Sequence, residues 1–280
     1  MNPHVSVSAF KELSDAAARQ CGMVTARQAH RIGIDDAGLA VLADAGLLSR
    51  PSWSVHRVAG AGTAPVYMYR YAAWLALDEE RFAWERPSAA HEDAVVSHES
   101  ACQVLGITGP SSREVVFTAP APRSAPPGIR LHTAPLRADE VEVVHGVPVT
   151  TAHRTLVDLV RDWNDLDDLR RAVSDAVRKD LVDLLRLHRD LAPLAAEYGF
   201  PDEGPRFAAH FLTRVPVAAL PPRNLVGYVE LTDPERVGAV RDALVASLRR
   251  AGGPGEVLAR DEAFGREIAA LVVGRAVADE

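Results

Sequence analysis

The sequence predicts an α+β multidomain protein: an N-terminal winged helix-turn-helix, a mixed α/β middle domain and a small α/β C-terminal region. Three observations carry this prediction. Helix-capping signals and a strand pair crowd residues 23–58, β-rich runs alternate with amphipathic helices over 94–199, and a strand–helix–strand–helix pattern follows a proline-bounded break after Gly199. A chain of 280 residues exceeds what one small core needs, so the segments are read as 1–60, 64–200 and 201–280.

A first helix is expected over 7–20. Thr25 is a good N-cap and Gln28, three residues on, completes a capping box, which predicts a helix over 26–32. Gly33 can end it with a positive φ. Asp35 caps the next helix, Ile34 and Leu39 form a hydrophobic staple around that cap, and Gly46 closes it. Leu47-Leu48 and 55–58 are strand-like runs on either side of Pro51-Ser52-Trp53-Ser54, the expected wing. Residues 60–65 read as a linker.

Next, 67–82 is expected to be a helix whose aromatics, with Leu75 and Leu77 among them, suit a core better than a stacking platform. A short strand at 94–96 leads to Ser97 as N-cap of a helix ending at Gly106. Residues 114–118, 129–133 and 147–150 read as strands, and Thr151 caps a helix over 153–163. Two further amphipathic helices run to Gly199. In the tail, 225–231 (LVGYVEL) reads as a buried strand, Asp233-Pro234 starts a helix to Arg250, 256–259 reads as a strand, and 261–277 as a closing helix.

Composition excludes several classes. No run approaches the ~18 apolar residues of a membrane span, and the start MNPHVSVSAFKEL lacks the layout of an export signal, so a cytoplasmic protein without membrane contact is expected. Cys21 and Cys102 are then free thiols. The formal net charge is −7, yet residues 1–60 hold six basic against five acidic side chains. The front is therefore the part least repelled by phosphate.

Groove geometry places the second helix of a helix-turn-helix in the major groove. Its outward positions would be Asp36, Ala37, Ala40, Ala43 and Asp44, none able to make the bidentate arginine–guanine contact. DNA contact is expected instead from Arg27, Gln28, His30 and Arg31 on the preceding helix and from Arg50, Trp53, His56 and Arg57 around the wing. The alternatives are a stand-alone transcriptional regulator or an adaptor in which the same fold docks a partner protein, with a nuclease built on the tail as a third and weaker reading. Binding to an inverted repeat would call for a homodimer with half-sites about 34–36 Å apart.

Catalytic templates are missing: there is no G-x-x-x-x-G-K, G-x-S-x-G or C-x-x-C. His98 and Cys102 are spaced to share a metal, but no third and fourth ligand lies near in sequence, so a structural histidine is the better reading. Arg154 and Asp158 read as an intrahelical ion pair. No enzyme activity, cofactor or metal is expected.

Several segments in order resemble the AbiEi antitoxins of type IV toxin–antitoxin systems: YAAWLAL in the helix after the linker, AVVSHESACQVLGI, IRLHTAPL and GVPVTTAHRTLVDL. The match covers about residues 10–199, and its most specific parts are Val96-Ser-His-Glu-Ser-Ala101 and Gly146–Asp158. The resemblance implies an operator-binding autorepressor at the front and an antitoxin domain behind it, with an AbiEii-type nucleotidyltransferase toxin as partner. Two places depart from the family pattern. Ser54-Val55-His56-Arg57 stands where an Arg-Gly-Val-Tyr-like wing is usual, and the tail from Pro201 has no counterpart. Some relatives end in a nuclease-like domain that needs a lysine beside clustered carboxylates; here no lysine follows Lys179.

Overall fold

The structure, a computed structural model, describes residues 5–61, 68–162 and 165–279. It is α+β, with two sheets and many helices, and divides into two compact units: 1–104 with 111–151, and 105–110 with 152–280. The boundaries read from the sequence at 60 and 200 fall inside these units.

Unit 1 begins with α1 (Val7–Ala18), β1 (Met23–Thr25), α2 (Ala26–Arg31), α3 (Asp36–Asp44), β2 (Leu48–Ser52) and β3 (Val55–Val58). The three strands form an antiparallel sheet in the order β1-β3-β2, with Val24 opposite His56 and Ser49 opposite Arg57. The expected caps are present. Thr25 and Gln28 make a reciprocal capping box on α2, and the Asp35 side chain accepts the Gly38 N–H at 2.8 Å. Gly33 and Gly46 follow the two helices with φ of 89° and 72°. Leu13, Val24, Ile34, Leu39, Leu42, Leu48 and Val58 share one core, so both staple residues are buried there. The strand β1 is too short to register as a periodic pattern and was not expected.

Beyond the linker, whose residues 62–65 lie outside the described residues, α4 (Met68–Ala76) stops short of the expected end at 82. A second sheet follows: β4 (Val95–Val96), then α5 (His98–Leu105), β5 (Val115–Ala119), β6 (Ile129–Thr133), β7 (Val141–Val144) and β8 (Val147–Thr150). Its order is β6-β5-β4-β8-β7, with β5–β6 and β4–β8 parallel and the other pairs antiparallel. Every residue of β4, β5 and β8 is buried, which explains their unbroken apolar runs. Arg86 and Asp93, 1% and 4% exposed, form an ion pair with Nε–Oδ2 of 2.8 Å beside Trp74.

Unit 2 is helical throughout its described residues: α6 (Ala152–Asp162), α7 (Leu166–Arg178), α8 (Leu184–Leu191), α9 (Ala195–Tyr198), α10 (Gly204–Phe211), α11 (Pro222–Thr232), α12 (Pro234–Ala251), α13 (Pro254–Leu258) and α14 (Glu262–Asp279). Leu156, Leu159, Val173, Leu184, Leu187, Phe207 and Phe211 fill its core. The expected α/β tail is corrected here. Residues 225–231 belong to the helix α11 and 256–258 to α13. A short apolar run cannot by itself separate a buried strand from a buried helix. Here Pro222 takes a first-turn position, and the fully buried Asn224 fixes the helix start. Its Oδ1 accepts the Leu184 N–H at 2.9 Å, while Nδ2 donates to the carbonyls of Val177 and Val182 at 2.9 and 3.0 Å. The expected Arg154–Asp158 pair is present at 2.8 Å on α6, largely buried. No helix is long and apolar enough to cross a membrane among the described residues.

Candidate nucleic-acid interface

The helix α3 turns Gly38, Leu39 and Leu42 inward, because its apolar residues recur at three- and four-residue spacing. That leaves Asp36, Ala37, Ala40, Val41, Ala43 and Asp44 exposed. The outward face therefore carries no cation and no amide, and His30 Nε2 sits 3.0 Å from Asp36 Oδ1 at its N-terminal end. Val41 and Leu47 add exposed apolar surface, at 38% and 39%.

The eight side chains singled out from the sequence separate into three groups. Arg27, His30 and Arg50 lie on the surface. Arg27 has one distant carboxylate, Glu80 at 3.8 Å, and Arg50 donates from Nε to its own turn at the Trp53 carbonyl, 2.6 Å away. Both keep donors that a phosphate can use.

Three of the eight are held by the fold. Gln28 is fully buried: its Oε1 accepts the Thr25 N–H at 3.0 Å and Gln20 Nε2 at 2.8 Å, and its Nε2 donates to the Arg81 carbonyl at 2.7 Å. It is out of reach of a duplex. The capping-box role read from the sequence accounts for its bond to Thr25, and the tertiary bonds to Gln20 and Arg81 take up the rest of its amide. Arg31 forks onto Glu85 at 2.7 and 2.8 Å, donates to the Glu80 carbonyl at 2.6 Å and lies over the Phe82 ring. The Arg31 guanidinium, helped by the Phe82 N–H, holds the Glu85 carboxyl down to about 2. Trp53, at the tip of the expected wing with φ of 51°, donates Nε1–H to the Pro127 carbonyl at 2.9 Å and packs on Tyr69 with ring centroids 4.9 Å apart. The β2–β3 turn is thus anchored to the rest of its unit.

His56 and Arg57 lie half-buried on β3. Burial, reinforced by the Arg50 charge, pushes the His56 imidazole below its usual range, with Asp36 opposing. Arg57 donates to the Ala61 carbonyl at 3.0 Å.

A surface arginine with no signal in the sequence pattern belongs to the same neighbourhood. Arg19 lies 3.7 Å from the centroid of the Trp84 ring, which in turn stacks on Phe82 at 4.6 Å and 4°. Arg31 also lies over the Phe82 ring, 4.7 Å from its centroid, so contacts link Arg19, Trp84, Phe82 and Arg31 in series. Of the described aromatics in 68–84, Tyr71, Trp74 and Phe82 are buried, while Tyr69 and Trp84 are 44% and 41% exposed. No sequence spacing links Arg19 to Trp84, so only the fold reveals their contact.

The histidine and cysteine weighed for a metal are both buried. His98 is buried with φ of 51°, Nδ1 lies 2.9 Å from Ser97 Oγ, and its ring stacks on His132 at 4.0 Å. Burial pushes the Cys102 thiol up to about 12, so near neutral pH it stays protonated.

No protein-family model matches the chain, and no curated protein does. Among solved structures it is similar to the RV2827C protein from Mycobacterium tuberculosis, at 17% identity over 82% of this chain and 83% of that one, with a TM-score of 0.44. Likeness at that level does not establish a shared fold or activity.

Proposed function

We propose that the chain is an AbiEi-like antitoxin and a DNA-binding repressor of its own operon, cytoplasmic and without catalytic activity. The observation that carries the DNA-binding part is the run α1-β1-α2-α3-β2-β3, closed by a β1-β3-β2 sheet around one core. That order of elements supports reading residues 7–58 as a winged helix-turn-helix with α3 as the groove helix. The antitoxin part rests on the motifs at 96–101 and 146–158, and an AbiEii-like nucleotidyltransferase is the partner this reading requires.

Contacts would come mainly from Arg27, His30 and Arg50, joined by Arg57, because Gln28, Arg31 and Trp53 are occupied within the fold. Such contacts neutralise phosphates and position the protein, while base discrimination from an alanine-lined helix is weak. Affinity should then depend steeply on salt and need two copies on an inverted repeat.

Fluorescence anisotropy with DNA from upstream of the gene tests this. Arg27→Ala with Arg50→Ala should abolish binding near physiological salt and lower the salt slope by about one for each phosphate that is no longer neutralised. Unchanged binding would reject the assignment. Growth rescue on co-expression with the adjacent reading frame tests the antitoxin part separately.

A second reading has its own support. The outward face of α3 is mostly Ala37, Ala40, Val41 and Ala43, continued by Leu47, which suits a protein surface better than a phosphate backbone. In that reading the same helices dock a partner protein, and Ala40→Arg would disrupt the complex while leaving DNA affinity unchanged or increased.

A further inference from the structure

Unit 2 contains a cleft of about 200 Å³ whose lining is dominated by arginine. Arg170, Arg171 and Arg178 come from α7, Arg214 from the segment after α10, and Thr108 borders the same space. The α7 residues reach it together because 170, 174 and 178 recur at four-residue spacing along one helical face.

The carboxylates here are already engaged. Asp167 accepts from Arg170 at 3.1 Å, and Asp168 pairs with Arg171. Asp175 accepts from Arg178 at 2.6 Å, from Lys179 at 2.7 Å and from the Thr108 N–H at 2.8 Å. Burial resists ionisation of Asp175, but these donors overcome it and hold the carboxyl at about 2. Arg214 is exposed and has no carboxylate partner among the described residues. Counting Lys179 with the four arginines against Asp167, Asp168 and Asp175, two positive charges are in excess. The whole chain is at −7, so this is a local reversal of sign.

We propose that this cleft binds a small phosphate monoester, with Arg214 making the direct contact and Arg170 turning from Asp167 and His210 to share it. A phosphate monoester near neutral pH carries close to two negative charges, which matches the local excess. The guanidinium fork matches phosphate oxygens in geometry, giving charge-assisted hydrogen bonds. The volume accommodates a phosphate with a sugar-sized remainder, so the base of a nucleotide would lie outside it. A nucleic-acid strand instead needs a continuous track for successive phosphates.

Titration calorimetry on the full chain tests the proposal with adenosine monophosphate, inorganic phosphate, adenosine and a short single-stranded oligonucleotide as probes. Adenosine monophosphate should bind, inorganic phosphate should compete with it, and adenosine should not bind. Arg214→Ala should weaken binding about tenfold or more, and Arg214→Lys by less. Because Arg214 is exposed, the thermal midpoint of Arg214→Ala should match the parent, which separates lost binding from lost folding. The proposal is overturned if neither phosphate compound binds, or if adenosine binds as well as its monophosphate. It is also overturned if only the oligonucleotide binds, or if Arg214→Ala binds like the parent.

Discussion

Replacing Gln28 with alanine should damage the fold of the N-terminal helices and leave no separate effect on DNA. The amide of Gln28 serves three partners, the Thr25 N–H, the Gln20 Nε2 and the Arg81 carbonyl, at 3.0, 2.8 and 2.7 Å. Thr25 and Gln20 are both 0% exposed, so water cannot take over the two donors. A buried donor left unmatched costs about 1–3 kcal/mol. The Gln20 amide keeps its bond to the Met23 carbonyl at 2.9 Å, which puts its share at the low end. The vacated side-chain volume adds about 1 kcal/mol or more. The expected loss is therefore about 2–5 kcal/mol, against a total of about 5–15 kcal/mol for an ordinary domain. Urea unfolding followed by far-ultraviolet circular dichroism reads it as a lower midpoint at unchanged slope. A cycle with Gln20→Ala should give a coupling of about 1 kcal/mol, since the two amides share one hydrogen bond. A stability change under about 0.5 kcal/mol, together with loss of DNA binding, would refute this reasoning and return Gln28 to an interface.

Arg86→Ala should cost about 3 kcal/mol, because it leaves the buried Asp93 carboxylate only the Ala94 N–H and Arg123 at 3.6 Å, and adding Asp93→Ala should recover part of that in the same unfolding assay. Acid should destabilise the protein through its histidines. His56, His153 and His210 are each pushed down, in every case foremost by burial, so the unfolded chain takes up protons first. Their contribution is whole above the ordinary value of 6.5 and is lost as pH falls through the lower folded values. The thermal midpoint should thus drop on acidification below that point, and His56→Gln should flatten part of the slope. Cys102 should resist iodoacetamide in the folded protein near pH 8 and react only after unfolding, as followed by mass spectrometry.

Local signals with a short physical range were legible in the sequence. The capping box at Thr25 and Gln28, the Asp35 cap and the terminating glycines all specify geometry through neighbours three or four residues away. The strands at 129–133 and 147–150 were equally plain, the first as an alternation of Ile129, Leu131 and Thr133 with polar residues and the second as a short buried run. Placement that depends on distant partners was not legible. Whether LVGYVEL became strand or helix depended on Asn224 meeting the carbonyls of Val177 and Val182, some 40 residues earlier. The candidate site divided the same way. Residue type suggested cations on α2 and the wing, but only tertiary contacts reveal that Arg31 belongs to Glu85 and Trp53 to Pro127. The arginine-lined cleft was invisible for the same reason, because Thr108, α7 and Arg214 are distant in sequence.

The anchoring of Trp53 and Gln28 bears on how this chain can be cut and recombined. A fragment ending at residue 61 would retain every strand of the first sheet yet lose the carbonyls of Arg81 and Pro127 and the Glu85 carboxylate. Its first helices would carry an open amide, an unstacked indole and an unpaired guanidinium on newly wetted surface. Chimeras that transplant the front as a freestanding module should therefore be insoluble or poorly cooperative, whereas those joined after Thr151 keep its hydrogen-bonded frame whole. Evolutionary shuffling of this front end onto other partners would face the same restriction, and the inherited parcel would be about 150 residues rather than 60.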